Sequence, residues 1–173
     1  MNFIPRLTAP SVNNKYWLHT SKGGLNDCIL IGAKSVLPNC VGYAFGRAYE
    51  ILESYPKLSK NNAGGWFNFN DGYERGQTPK LGAIGVWRKI GTTKNWGHVA
   101  IVEEIQDNNV IVTSNSAYKG SRFYLKTIKP PYNLGNYEFL GFIYLPIEIE
   151  NNNEENQKLS IETIAKQVIS GIW

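Results

Sequence analysis

One stretch of helical periodicity constrains this chain more than any other feature. From Cys40 onward, Val41, Ala44, Phe45, Ala48, Ile51, Leu52 and Tyr55 recur at the spacing of a single helix face, and Pro56 stops the run. The chain beyond Pro79 is strand-like: Ala83 to Trp87, His98 to Glu104, Val110 to Ser114 and Phe139 to Leu145 are short β-branched or aromatic runs separated by Gly, Asn and Lys. Asp107-Asn108-Asn109 predicts a hairpin turn between the second and third of them. A helical N-terminal part followed by an antiparallel sheet is an α+β arrangement.

The rest of the chain frames that unit. Residues 1–37 are rich in Asn, Ser, Gly and Lys and read as an irregular lead-in. Residues 57–79 carry Gly64-Gly65-Trp66-Phe67-Asn68-Phe69, a composition suited to a surface loop that forms one wall of a groove. Residues 147–158 are polar and acidic, without enough apolar content to bury themselves, and read as a linker. Beyond it Leu159, Ile161, Ile164, Ala165, Val168 and Ile169 return to helical spacing, and Gly171 comes next as a C-cap. A lone short helix cannot bury its apolar face. It either packs on the main domain or opens a further one.

At 173 residues the chain has room for one ordinary domain and a short appendage. Its 42% hydrophobic and 18% charged content describe a folded protein rather than a disordered one. The net charge of +4 suits either a polyanionic partner or ordinary solubility. Its 18 Lys and Arg form no run or stripe, so nucleic acid is not an expected partner. No stretch reaches the roughly 20 apolar residues of a membrane span, so stable membrane insertion is not expected either. The N-terminus lacks a basic region followed by an apolar run, so no signal peptide is expected. Two cysteines, Cys28 and Cys40, are too few for a disulfide framework.

Three residues carry the chemistry. Pro38-Asn39-Cys40 places a thiol where irregular chain turns into helix, and a helix N-terminus stabilises an anion, so Cys40 is expected to ionise more easily than a free thiol. The competing reading is a small buried hydrophobe. His98 opens a strand just after Asn95-Trp96-Gly97, where an imidazole can reach a helix N-terminus and act as base and then acid. His19 has no comparable setting. If the hairpin forms, Asn115 lies near the His98 end and can fix the imidazole, ahead of Asp107, Glu103 and Glu104; its competing reading is a turn-forming Asn.

The segments Leu37-Pro38-Asn39-Cys40-Val41-Gly42-Tyr43-Ala44, Pro79-Lys80-Leu81-Gly82-Ala83-Ile84, Gly97-His98-Val99-Ala100-Ile101-Val102 and Ser114-Asn115-Ser116-Ala117-Tyr118 together resemble the CHAP family of cysteine- and histidine-dependent amidohydrolases and peptidases, above all those of phage endolysins. The resemblance spans roughly residues 25–146. It implies a papain-like fold of NlpC type, N-terminal helices on an antiparallel sheet, and cleavage of an amide bond in bacterial peptidoglycan. It carries the nucleophile to Cys40 and the base to His98. The third position, often Glu in the family, falls on Asn115. Some relatives bind calcium through acidic residues ahead of the cysteine; only Asp27 stands there, so no metal and no cofactor is expected. A weaker resemblance makes 159–173 the start of a cell-wall-binding repeat.

On this reading the enzyme is an N-acetylmuramoyl-L-alanine amidase or a peptidoglycan endopeptidase. It would be made in the host bacterial cytoplasm and released to the wall. It is expected to act as a monomer, any oligomer belonging to a longer C-terminal form. Asn39 is a candidate oxyanion donor, though also a plain helix cap. Trp66, Trp96 and Tyr118, with Phe67 and Trp87, are candidates to line the substrate groove, and core packing competes for each. A thiol acyltransferase or transglutaminase, or a non-catalytic wall-binding module, are the alternatives.

Overall fold

The computed structural model describes residues 3–21, 28–30 and 32–147. The expected linker beyond Ile147 and the expected helix at 159–173 lie outside them, as does Asp27.

The helix starts where the sequence placed it. Helix α1 spans Cys40–Leu52, with Asn39 as its N-cap. The Asn39 side chain accepts from the amides of Val41 at 2.8 Å and Gly42 at 3.2 Å, satisfying two of the donors a helix start leaves open. The end comes earlier than Tyr55. Glu53 takes the left-handed conformation at φ 51° and closes the helix, with Pro56 beyond it. Helix α1 is the one α-helix among the described residues, where several N-terminal helices were expected.

The sheet is larger than the four expected strands. The short strands β1 (Trp17–His19) and β2 (Ser35–Leu37) form a parallel pair within the stretch that reads as irregular. A six-stranded antiparallel sheet runs in the order β3 (Glu74–Gly76), β8 (Tyr137–Tyr144), β4 (Ile84–Lys89), β5 (Gly97–Ile105), β6 (Ile111–Asn115), β7 (Tyr124–Ile128). The Asp107–Asn109 turn links β5 to β6, with Asn108 and Asn109 both at positive φ, as the hairpin reading required. The fold is α+β as expected, with one helix against an antiparallel sheet.

Alternation along β5 divides the core. Val99 and Ile101 face α1 together with Tyr43, Ala44, Phe45 and Ala48. Ala100 and Val102 face away, joining Trp87, Ile111, Ile128, Tyr132 and Phe142 in a second cluster. Beneath the helix the same alternation buries Glu103, which binds the guanidinium of Arg47 with two contacts of 3.0 Å. Glu50 and Arg6 extend this pair toward the surface.

Two glycines hold backbone approaches that no side chain would permit. A Cβ on Gly42 would lie 2.2 Å from the carbonyl oxygen of Val36, so the first turn of α1 rests directly on β2. One on Gly97 would lie 2.1 Å from the Trp87 carbonyl oxygen and 2.6 Å from the Gly64 amide nitrogen. The residue before His98 is thus clamped between β4 and the 63–65 turn.

Candidate active site

Cys40 is the first residue of α1 and is partly exposed. Its thiol meets the backbone N–H groups of Val99, of Val41 and of Cys40 itself, each of which favours the thiolate. Burial works the other way and is the larger effect, so the thiol sits above its ordinary value. This corrects the expectation of an easily ionised thiol: the helix N-terminus is present, but the loss of water outweighs it.

The Val99 contact brings Cys40 to the start of β5, one residue from His98. His98 is paired with Trp87 across the β4–β5 ladder, and the two rings lie 5.9 Å apart. On the other side its Nε2 is 2.9 Å from Oδ1 of Asn115, which is fully buried on β6. Network geometry sets the tautomer. The Asn115 amide nitrogen donates to the Thr113 carbonyl at 2.9 Å and to its hydroxyl at 3.0 Å, so Oδ1 must face the imidazole as an acceptor. Nε2 therefore carries the hydrogen, and Nδ1 is left with the lone pair a base needs. Burial lowers the His98 pKa below its ordinary value, the charge of Lys126 lowers it further, and the Asn115 bond opposes both.

The competing third residues fall elsewhere. Glu103 is buried on the opposite face of the sheet with Arg47, Glu104 lies beyond it along the strand, and Asp107 belongs to the turn at the far end of the hairpin. His19, on β1, buries an Nε2 that has no hydrogen-bond partner among the described residues.

The expected groove residues separate. Trp66 is fully buried, its indole nitrogen donating to the Asn61 carbonyl at 3.0 Å, and so packs the core instead of lining a groove; Trp87 is equally buried. Phe67 is only partly buried and packs on the core. Trp96 and Tyr118 are 46% and 49% exposed, the first beneath Lys89 and Lys94 and the second beneath Lys119. Asn39 spends its Oδ1 on the helix cap, and its own amide donates to Ser116 Oγ at 3.0 Å. Asn39→Ala is expected to cost about 1 kcal/mol of stability through the lost cap. A chemical denaturation midpoint unchanged from the parent would refute that role.

The sequence reading missed Tyr124. It stands opposite Asn115 in the β6–β7 ladder, half buried, with its hydroxyl pushed up first by burial and then by the negative charge of a Cys40 thiolate. Tyr124 and His98 line a trough of about 690 Å³ that continues past Lys126 and Lys129. A second depression, of about 450 Å³, is lined by Asn39, Val41, Lys60, Asn61 and Asn95. Residues flanking Cys40 thus border one hollow, and its expected base borders the other.

Known proteins share this arrangement of sequence. Residues 32–117 match the model of the CHAP domain. The match takes in just under half of the chain. Cys40, His98 and Asn115 fall inside the matched residues; Tyr124, Lys126 and Lys129 lie C-terminal to them. The chain is 32% identical over 106 residues to the probable autolysin LDP of Staphylococcus aureus, a match covering 59% of this chain and 35% of that protein. A crystal structure of N-acetylmuramoyl-L-alanine amidase from the same species aligns at 26% identity with a TM-score of 0.46, covering 60% of this chain and 30% of that one. The matches thus span about a third of the length of these relatives.

Proposed function

We propose that this CHAP domain hydrolyses an amide bond of bacterial peptidoglycan with Cys40 as nucleophile, His98 as base and Asn115 as the residue that fixes the imidazole. The observation that carries the reading is the 2.9 Å bond from His98 Nε2 to Asn115 Oδ1, which reserves Nδ1 for a proton, on the residue next to the backbone N–H that the Cys40 thiol meets. The name of the staphylococcal relative, an autolysin, supports the choice of substrate.

The resting pair is neutral, because burial holds the thiol up and the imidazole down. Attack therefore couples to proton transfer. As the S–C bond forms, the thiol proton passes to Nδ1, and the Cys40 backbone N–H helps hold the oxyanion. The C–N bond then breaks, the amine leaves with the proton from the imidazolium, and water hydrolyses the thioester with His98 again as base. Within this reading the chain is the catalytic part of a phage endolysin, either an amidase or an endopeptidase.

Purified cell walls decide it. The protein is expected to clear them and release new amines, with free N-terminal alanine on intact stems marking an amidase and new bridge termini an endopeptidase. Cys40→Ala is expected to do neither. Clearing by Cys40→Ala at the parent rate would overturn the mechanism, and transfer to an added amine without net hydrolysis would assign an acyltransferase instead.

A further inference from the structure

The trough beside His98 has a chemistry of its own. In the β6–β7 ladder Asn115 faces Tyr124, Thr113 faces Lys126 and Ile111 faces Ile128, so Tyr124 and Lys126 project from the same face as the His98–Asn115 pair. Lys126 stands opposite Thr113, the residue that orients the Asn115 amide, and its charge is felt at the imidazole. Lys129 comes just past the strand end. Among the lining residues, His98, Tyr124, Lys126, Thr127, Lys129, Asn133 and Tyr137 supply polar side chains, and no carboxylate is present. The nearby Glu138 is engaged by Arg88 across the β4–β8 ladder. Two cations thus share a concave surface that leads from the proposed base, with no acid to neutralise them.

The geometry points to an anion subsite: Lys126 and Lys129 bind a carboxylate of the stem peptide, positioned along β7 from the amide that Cys40 attacks, with Tyr124 forming the wall between thiol and subsite. This rests on the peptidoglycan reading above. It adds that the enzyme distinguishes stems with a free carboxyl from stems in which that carboxyl is amidated. Lysine is suited to such a role as a flexible point charge, and the attraction is screened by salt.

The test reads binding, so it does not depend on turnover. In the full chain carrying Cys40→Ala, a soluble muramoyl peptide with a free α-carboxylate on its acidic residue is titrated by calorimetry against the same peptide amidated there. The free acid is expected to bind about tenfold tighter, the size of one charge-assisted hydrogen bond. Adding Lys126→Gln is expected to erase that difference, and Lys129→Gln to reduce it. Equal binding of the two peptides, unaffected by Lys126→Gln, overturns the subsite while leaving the peptidoglycan reading intact. Failure of either peptide to bind counts against that reading itself. Binding of a glycerol-phosphate oligomer with the same lysine dependence, and no preference between the peptides, would overturn the carboxylate in favour of a phosphate-bearing wall polymer.

Discussion

His98→Ala is expected to lower kcat/KM for wall cleavage about 10³-fold with the fold preserved, the effect of removing a positioned general base. The argument depends on which nitrogen carries the proton. Because the Thr113 oxygens hold the Asn115 amide nitrogen, Oδ1 accepts from Nε2 and Nδ1 keeps the lone pair that the proposed base needs. The pH profile tests the arrangement independently of the size of the loss. The imidazole works only when neutral, and burial places its pKa below 6.5, so the acid limb of kcat/KM should lie below the ordinary histidine value. The Asn115 bond favours the charged ring, so Asn115→Ala should move that limb to still lower pH while reducing kcat. Lys126 disfavours the charged ring, so its removal should move the limb up. Shifts of one sign in both variants, or an acid limb unchanged in Asn115→Ala, would refute this picture of the site.

The parts legible in the sequence are those whose signal is local. Cys40 at a helix start could be read because Asn39 is a strong cap and the apolar period begins at once. His98 and Asn115 could be paired because Asp107-Asn108-Asn109 announces the turn that folds one strand back on the other. Strand β7 escaped because Leu125, Lys126 and Thr127 are all exposed, so an edge strand with polar positions shows no buried alternation. With it went Tyr124 and Lys126, whose place beside the site comes only from their register with β6. Strands β1 and β2 are three residues each, too short to show a period. Trp66 misled because glycine and asparagine around it signal a loop, whereas the ring itself is anchored in the core. The thiol's ease of ionisation misled for a different reason: a helix N-terminus is visible in a sequence, but the burial that opposes it is a property of the packed structure.

Glu103→Ala is expected to destabilise the protein by roughly 3–5 kcal/mol, the cost of breaking a buried ion pair from one side. Glu103 is wholly buried and receives four hydrogen bonds, from Arg47 Nε and Nη2 at 3.0 Å each, from Ser114 Oγ at 2.6 Å and from the Arg6 amide at 2.8 Å. Its loss leaves the Arg47 guanidinium buried with Glu50 as its remaining carboxylate partner. Against a total stability of about 5–15 kcal/mol this is a large share, and the thermal midpoint should fall by about 10 °C. The position also matters to the site. Arg47 is two turns along α1 from Cys40, and Glu103 is four residues along β5 from Val99, distances of roughly 10 and 13 Å that nearly match. The ion pair at one end and the thiol contact with the Val99 amide at the other therefore fix how the helix lies along the strand. A paired replacement, Arg47→Met with Glu103→Leu, removes both charges together and is expected to recover most of the stability. A Glu103→Ala midpoint within about 2 °C of the parent, or a double variant no more stable than the single one, would show that the buried pair does not hold the helix in place.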